Sequence, residues 1–281
     1  MPNSSAAPEA LPCSTVFNKT FAAITRSIYS LDSCNILSIM VAFIFDPRNI
    51  IFSQHKEIVV TTDIELQYFF DPFCGWCYAS APALAGLADK FGDKLMMRPS
   101  GLFAGGQPVS SIADHAWRND QRIQALTGQR FSKEYHQNVL LAPNGIFDSG
   151  PATLALTALG EHDMKLEPRF LHAIQIARYV NGRDTSNVQE VATVAVQVAG
   201  ERGVELTVET FDGRLRNDTD LRERTLVRVE DTQRQMSTLG IRGVPQLVAV
   251  INGEAHVLSG EALYQGSAHL VAALDELRAD A

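Results

Sequence analysis

Cysteine is scarce in this sequence. Four occur in 281 residues, Cys13, Cys34, Cys74 and Cys77, too few for a scaffold stapled by disulfides. Positive charge is also short: 24 Lys and Arg stand against 32 Asp and Glu, a formal net charge of −8. That argues against non-specific nucleic-acid binding, which needs a basic face, and gives no support for an anionic membrane surface as partner. Outside the body of the chain the longest apolar run is Ile36 to Phe45, short of the ~20 residues of a membrane span. That run also lacks the setting of a signal peptide. Its leader is long, Lys19 and Arg26 are the only positive charges there, and Phe45-Asp46-Pro47-Arg48 follows in place of a small-residue cleavage site. The expectation is a cytoplasmic protein with neither nucleic acid nor membrane as partner; secretion or a periplasmic location is the weaker alternative. A glycine-rich phosphate loop after a strand, G-x-S-x-G and H-E-x-x-H are absent as well.

What is present suits a folded body of one large domain or a domain with an insertion. The hydrophobic fraction is 46%, ample for a core. Residues 1–60 stand apart: the opening Pro2-Asn3-Ser4-Ser5-Ala6-Ala7-Pro8 has a disordered composition, and 17–52 has no sustained period. A poorly ordered extension is expected there, with Cys13 and Cys34 as incidental thiols. From Ile64 to Phe70 an aromatic, apolar run reads as a buried central strand. A helix follows the cysteines, with Leu84, Leu87 and Phe91 on one face, Gly92 as its stop and Pro82 expected to kink it. Leu95 to Pro99 reads as a second, parallel strand.

After a glycine-rich loop, 101–108, the pattern is helical for over a hundred residues. Gly128 closes one helix, Asp148-Ser149 caps another with Pro151 in its first turn, and Asp218-Thr219 opens a long charged one. Strand character returns only near the end, at Gln246 to Ile251, where Asn252-Gly253 signals a hairpin, before a closing helix with Leu270, Leu274 and Leu277 aligned. The order β-α-β, helical block, β-β-α fits a mixed four-stranded sheet interrupted by an insertion. The expected divisions are 61–101 and 236–281 for the two halves of the α/β body, and 102–235 for the helical insertion.

The chemistry sits at Phe70-Asp71-Pro72-Phe73-Cys74-Gly75-Trp76-Cys77. Disulfide exchange needs one thiolate to attack and a second thiol to resolve the mixed disulfide. Two residues between the cysteines, at a helix start, let both sulfurs meet across one turn. Cys74 would sit at the helix N-terminus, where a thiolate is favoured; Cys77, one turn in, would be more buried. Trp76 suits an apolar platform for a peptide substrate. Half a zinc site is the first alternative, but no second pair or H-x3–5-H accompanies the cysteines; a structural thiol pair is the second. Asp71 reads as an exposed turn carboxylate, with a proton relay as its alternative. His115 and His136 read as surface or capping residues, Trp117 and Phe131 as core or pocket wall. Gly243-Val244-Pro245-Gln246 precedes a β-branched strand, and by spacing alone its proline is an ordinary turn proline.

These residues together resemble a family. The entry Phe69-Phe70-Asp71-Pro72-Phe73-Cys74-Gly75-Trp76-Cys77, the segments Leu126-Thr127-Gly128-Gln129-Arg130-Phe131 and Phe147-Asp148-Ser149-Gly150-Pro151-Ala152, and Leu239-Gly240-Ile241-Arg242-Gly243-Val244-Pro245 are similar to DsbA-family thiol-disulfide oxidoreductases. More narrowly, they are similar to the bacterial branch of predicted protein-disulfide isomerases, usually without a signal peptide. The resemblance covers about residues 63–278. It implies a thioredoxin fold with an inserted helical domain, Cys74 as nucleophile, Cys77 as resolver and Pro245 as a cis-proline. Val244 would offer its backbone to an extended substrate. It departs at Tyr68, where many relatives carry a buried acid, and at Gly75-Trp76, which lacks the histidine of the strongly oxidising members.

The expected activity is therefore disulfide exchange or isomerisation through a Cys74–Cys77 dithiol. The substrates would be protein or small-molecule thiols and disulfides, with an unidentified redox partner and no organic cofactor or metal. Two rivals remain: a glutathione-dependent transferase or isomerase on the same fold, whose members usually have serine at the first cysteine, so that Cys74 with Cys77 counts against it, and a redox-regulated peptide-binding module.

Overall fold

The computed structural model describes residues 64–280; the extension expected over 1–60, with Cys13 and Cys34, lies outside the described residues. The first strand, β1 (Ile64–Phe70), begins with alternating exposure and ends in three fully buried residues, Tyr68, Phe69 and Phe70. Such a strand is covered on both faces. It runs parallel to β2 (Leu95–Pro99), with Leu66 opposite Leu95, and antiparallel to β5 (Gln246–Ile251), with Ile64 opposite Ile251. β6 (Glu254–Val257) closes the edge, giving the order β2-β1-β5-β6. Asn252 and Gly253 both have positive φ, 52° and 86°, the geometry an Asn-Gly hairpin turn requires. The mixed four-stranded sheet is as the sequence pattern expects.

The helix after the cysteines corrects one expectation. It does not run on with a kink at Pro82; it breaks into α1 (Gly75–Ala79) and α2 (Ala81–Phe91), with Ser80 between them at φ −85°, ψ 2°. Pro82 has no N–H to donate and its ring collides with the carbonyl four residues back, so it sits in the first turn of a new helix. α2 buries Ala83, Leu84, Leu87 and Phe91 and packs on the C-terminal helix α10 (Ser267–Asp280), which contributes Leu270 and Leu274.

Between the two halves of the sheet lie α3 (Ala113–Thr127), the short α4 (Lys133–Tyr135), α5 (Gly150–Gly160), α6 (Leu166–Tyr179), α7 (Val188–Gly200), α8 (Val208–Asn217) and α9 (Thr219–Thr238). A two-residue ribbon, β3 (Gln107–Pro108) with β4 (Ile146–Phe147), adds strand where none was expected; a pair this short leaves no periodic signal. Asp148 caps α5, accepting from Gly150 N–H at 2.8 Å, whereas Ser149 makes no side-chain cap bond. α9 holds the helical segment to the sheet edge. Arg228 donates to the Met97 carbonyl at 2.7 Å and pairs with the buried Glu167, and Arg98 pairs with Asp231 at 2.9 Å.

Candidate functional site

The thiol loop begins where β1 ends. Asp71 folds back so that its carbonyl accepts from Cys74 N–H at 3.1 Å and its Oδ1 from Phe73 N–H at 2.9 Å. Its other oxygen, Oδ2, accepts from Phe103 N–H and from the Ser149 hydroxyl, each at 3.0 Å. Asp71 is thus fully buried, not the exposed turn carboxylate expected from the sequence. Burial pushes its carboxyl up, against the pull of those three donors. One side chain joins the loop, the turn at Phe103 and the start of α5.

Cys74 is the N-cap residue of α1, its backbone extended and its carbonyl accepting from Tyr78 N–H at 3.1 Å. It is 8% exposed and Cys77 is fully buried. Both are free thiols. The Cys74 thiol points across the fold at the Val244 carbonyl, 3.5 Å from sulfur to oxygen and 170 positions away in sequence. The Val244–Pro245 peptide bond is cis. Val244 is half-buried and Pro245 buried. Burial pushes the Cys77 thiol well up, and its neighbour Cys74 adds to the shift, so Cys77 holds its proton while the pair is reduced.

Beneath Cys77, the Tyr68 hydroxyl lies 2.6 Å from Ser80 Oγ, and Ser80 Oγ donates to the Cys77 carbonyl at 3.0 Å. A serine has one proton to give, so Tyr68 is the donor in its pair. Burial pushes the Tyr68 phenol well up. The group in the acid's place is a neutral donor that supports the helix backbone and accepts no proton from a thiol.

Trp76 is half-buried and rests on Tyr264, ring centroids 5.3 Å apart. Phe131 is core, Trp117 is half-buried and stacked on His136 at 4.2 Å, and His115 is exposed. His136 is therefore a half-buried, stacked residue where the sequence suggested a surface or capping one. Among the described residues no cluster of three His, Cys, Asp or Glu is placed to hold a metal ion, and no helix is long and apolar enough to cross a membrane. A cavity of about 340 Å³ opens between α2, α6 and α7, but neither cysteine nor Val244 or Pro245 lines it.

A second layer behind the loop went unseen in the sequence. Tyr179 donates to the Phe73 carbonyl at 2.7 Å and Tyr135 to Asp120 Oδ2 at 3.0 Å. Arg178 is fully buried, its guanidinium 4.0 Å from the centre of the Phe73 ring and 4.9 Å from that of Phe147. Its Nε and Nη2 make no hydrogen bond; the rings take their place. The available signal was an ionisable residue on an apolar helical stripe: Asp120 in step with Ala113 and Ile123, Arg178 in step with Leu171 and Ile174.

The model of the DSBA-like thioredoxin domain matches residues 65–271. The chain is similar to the cytosolic disulfide reductase DsbM from Pseudomonas aeruginosa, at 31% identity over 76% of this chain and 98% of that one, TM-score 0.64. It is similar as well to a structure of DsbM with GSH, at 32% identity over 76% of this chain and 99% of that one, TM-score 0.62. A structure from Nitrosomonas europaea, at 21% identity over 76% of this chain and 98% of that one, shares the fold (TM-score 0.57). No curated protein sequence matches the chain.

Proposed function

Because the chain belongs to the family of DSBA-like thioredoxin domains, and is with that family a thiol-disulfide oxidoreductase, we propose that Cys74 is its attacking sulfur and Cys77 its resolving one. Val244 and Pro245 form the wall along which the substrate lies, with Trp76 as its apolar edge and 102–235 as the insertion that shapes the groove. The observation that carries this reading is the Cys74 thiol facing the Val244 carbonyl at 3.5 Å. It brings the less buried of the two cysteines to a backbone segment that can pair with an extended chain.

In the reducing direction the Cys74 thiolate attacks a substrate disulfide. A bond forms between Cys74 and one substrate sulfur, and the other leaves as a thiolate that takes up a proton. Cys77 then gives up its proton and attacks the Cys74 sulfur. The Cys74–Cys77 disulfide forms, the second substrate sulfur leaves, and two electrons have passed to the substrate. Two molecules of a small thiol return the pair to its reduced state. Glutathione is that thiol in this reading, supported by the relative solved with GSH. The same relative is a cytosolic reductase, which supports a cytoplasmic location and the reducing direction, the one a glutathione pool favours.

The test is turnover of a glutathione-linked peptide disulfide and of insulin, with glutathione as reductant. Cys74→Ser abolishes both activities, and Cys77→Ser accumulates a mixed disulfide at Cys74. Undiminished turnover by Cys74→Ser refutes the assignment. A folded chain with no turnover at all, yet binding peptides, belongs to the peptide-binding alternative.

A further inference from the structure

The exchange chemistry leaves one buried carboxyl beside the thiols without a task. Asp120, on α3, is 4% exposed. Its carboxyl lies against the backbone of the residue that follows Cys74: a Cβ at position 75 would stand 2.5 Å from Asp120 Oδ1 and 2.9 Å from Ile123 Cδ1. Gly75 leaves the room that the carboxyl fills.

The groups that face Asp120 come from three other elements. Tyr135 on α4 donates to it. From α6, Arg178 attracts it and Tyr179 lies within range of both its charge and that of Cys74. From the thiol loop comes Gly75, the residue that follows Cys74. On its own helix, Arg118 and Arg122 are exposed to solvent. The neighbourhood thus holds one buried cation, Arg178, beside Asp120, and Tyr179 lies within range of the two groups that can turn negative, Asp120 and Cys74. In a medium of low polarisability two such anions oppose each other.

We propose that Asp120 is a positioning residue for the thiol chemistry: seated against Gly75, its carboxyl controls by its own charge how much Cys74 thiolate forms. Burial pushes the Asp120 carboxyl up to about 7, the Tyr135 hydrogen bond and the Arg178 charge pulling the other way. It therefore changes charge in the neutral range. Below that range the neutral carboxyl leaves the thiolate unopposed; above it the carboxylate repels the thiolate. The effect is reciprocal: a thiolate at Cys74 makes Asp120 keep its proton, and loss of the thiolate on disulfide formation releases that hold.

This inference rests on Cys74 as the attacking thiol. Its test is iodoacetamide alkylation of the reduced chain, followed by the mass of the peptide containing Cys74, at pH 5.5 and pH 8. No substrate takes part, so failure to turn over disulfides and failure of this proposal are separate results. Asp120→Asn alkylates about tenfold faster than the unaltered chain at pH 8 and at the same rate at pH 5.5. The same ratio at both pH values, one included, overturns the proposal, because a merely structural effect does not follow the carboxyl's charge. If Asp120→Asn does not fold, Tyr135→Phe serves instead. Loss of the donor makes Asp120 charge at higher pH, so the inflection near pH 7 in the alkylation profile moves up; an unmoved inflection overturns the proposal equally.

Discussion

Replacing Asp120 by Asn makes the chain more resistant to urea at pH 8 than at pH 5, relative to the unaltered protein. The sign follows from linkage. An unfolded Asp titrates near 3.8 and the folded carboxyl is pushed up to about 7, so between these values the folded chain binds more protons and loses stability as pH rises. The full penalty, complete above pH 7, spans about three pH decades at about 1.4 kcal/mol each, or about 4 kcal/mol. From pH 5 upward about two decades remain, worth about 3 kcal/mol. Asn keeps a carbonyl oxygen for Tyr135 and never ionises, so it escapes this loss. The assay is equilibrium urea unfolding of both chains at the two pH values. Asp71 and Glu167 are also pushed up by burial, but both are present in each chain and cancel in the comparison. A stability difference that does not change between pH 5 and pH 8 refutes the reasoning.

Asp71→Ala leaves Phe73 N–H, Phe103 N–H and the Ser149 hydroxyl without their shared acceptor. It costs about 2–5 kcal/mol in urea unfolding and speeds hydrogen exchange at the Phe103 amide; unchanged exchange there contradicts the three-way bond. Tyr68→Phe removes the donor to Ser80 and costs about 1 kcal/mol, yet the pH profile of disulfide reduction keeps its shape because the phenol is neutral throughout. A lost limb in that profile assigns Tyr68 a proton and refutes its reading as a neutral donor.

Much of this site was legible because its parts are contiguous. Ile64 to Phe70 announces a buried strand, the two cysteines follow at one-turn spacing, and Val244-Pro245 sits at the start of a β-branched run. Caps and turns that act within a few residues, such as Asp148 and Asn252-Gly253, could also be read. Asp71 could not: a carboxylate beside proline looks like a surface turn, and its burial depends on Phe103 and Ser149, which only tertiary packing brings near. Asp120, Tyr135, Arg178 and Tyr179 are scattered over three helices of the inserted segment. Each looks like one polar position in an amphipathic pattern until α3 is laid against α1. The break at Ser80 was missed for a related reason: a kink and a restart of the helix share one proline signal.

The span between Cys74 and Val244 also has a meaning for synthesis. At roughly 5–20 residues per second, the carbonyl that meets the Cys74 thiol is made roughly 10–30 s after the thiol itself, 170 positions earlier. Until β5 arrives to pair with β1, the nascent chain carries both thiols with one side of their shelter unbuilt. Pairing of β5 with β1 is thus the step that closes this side of the thiol pair's shelter.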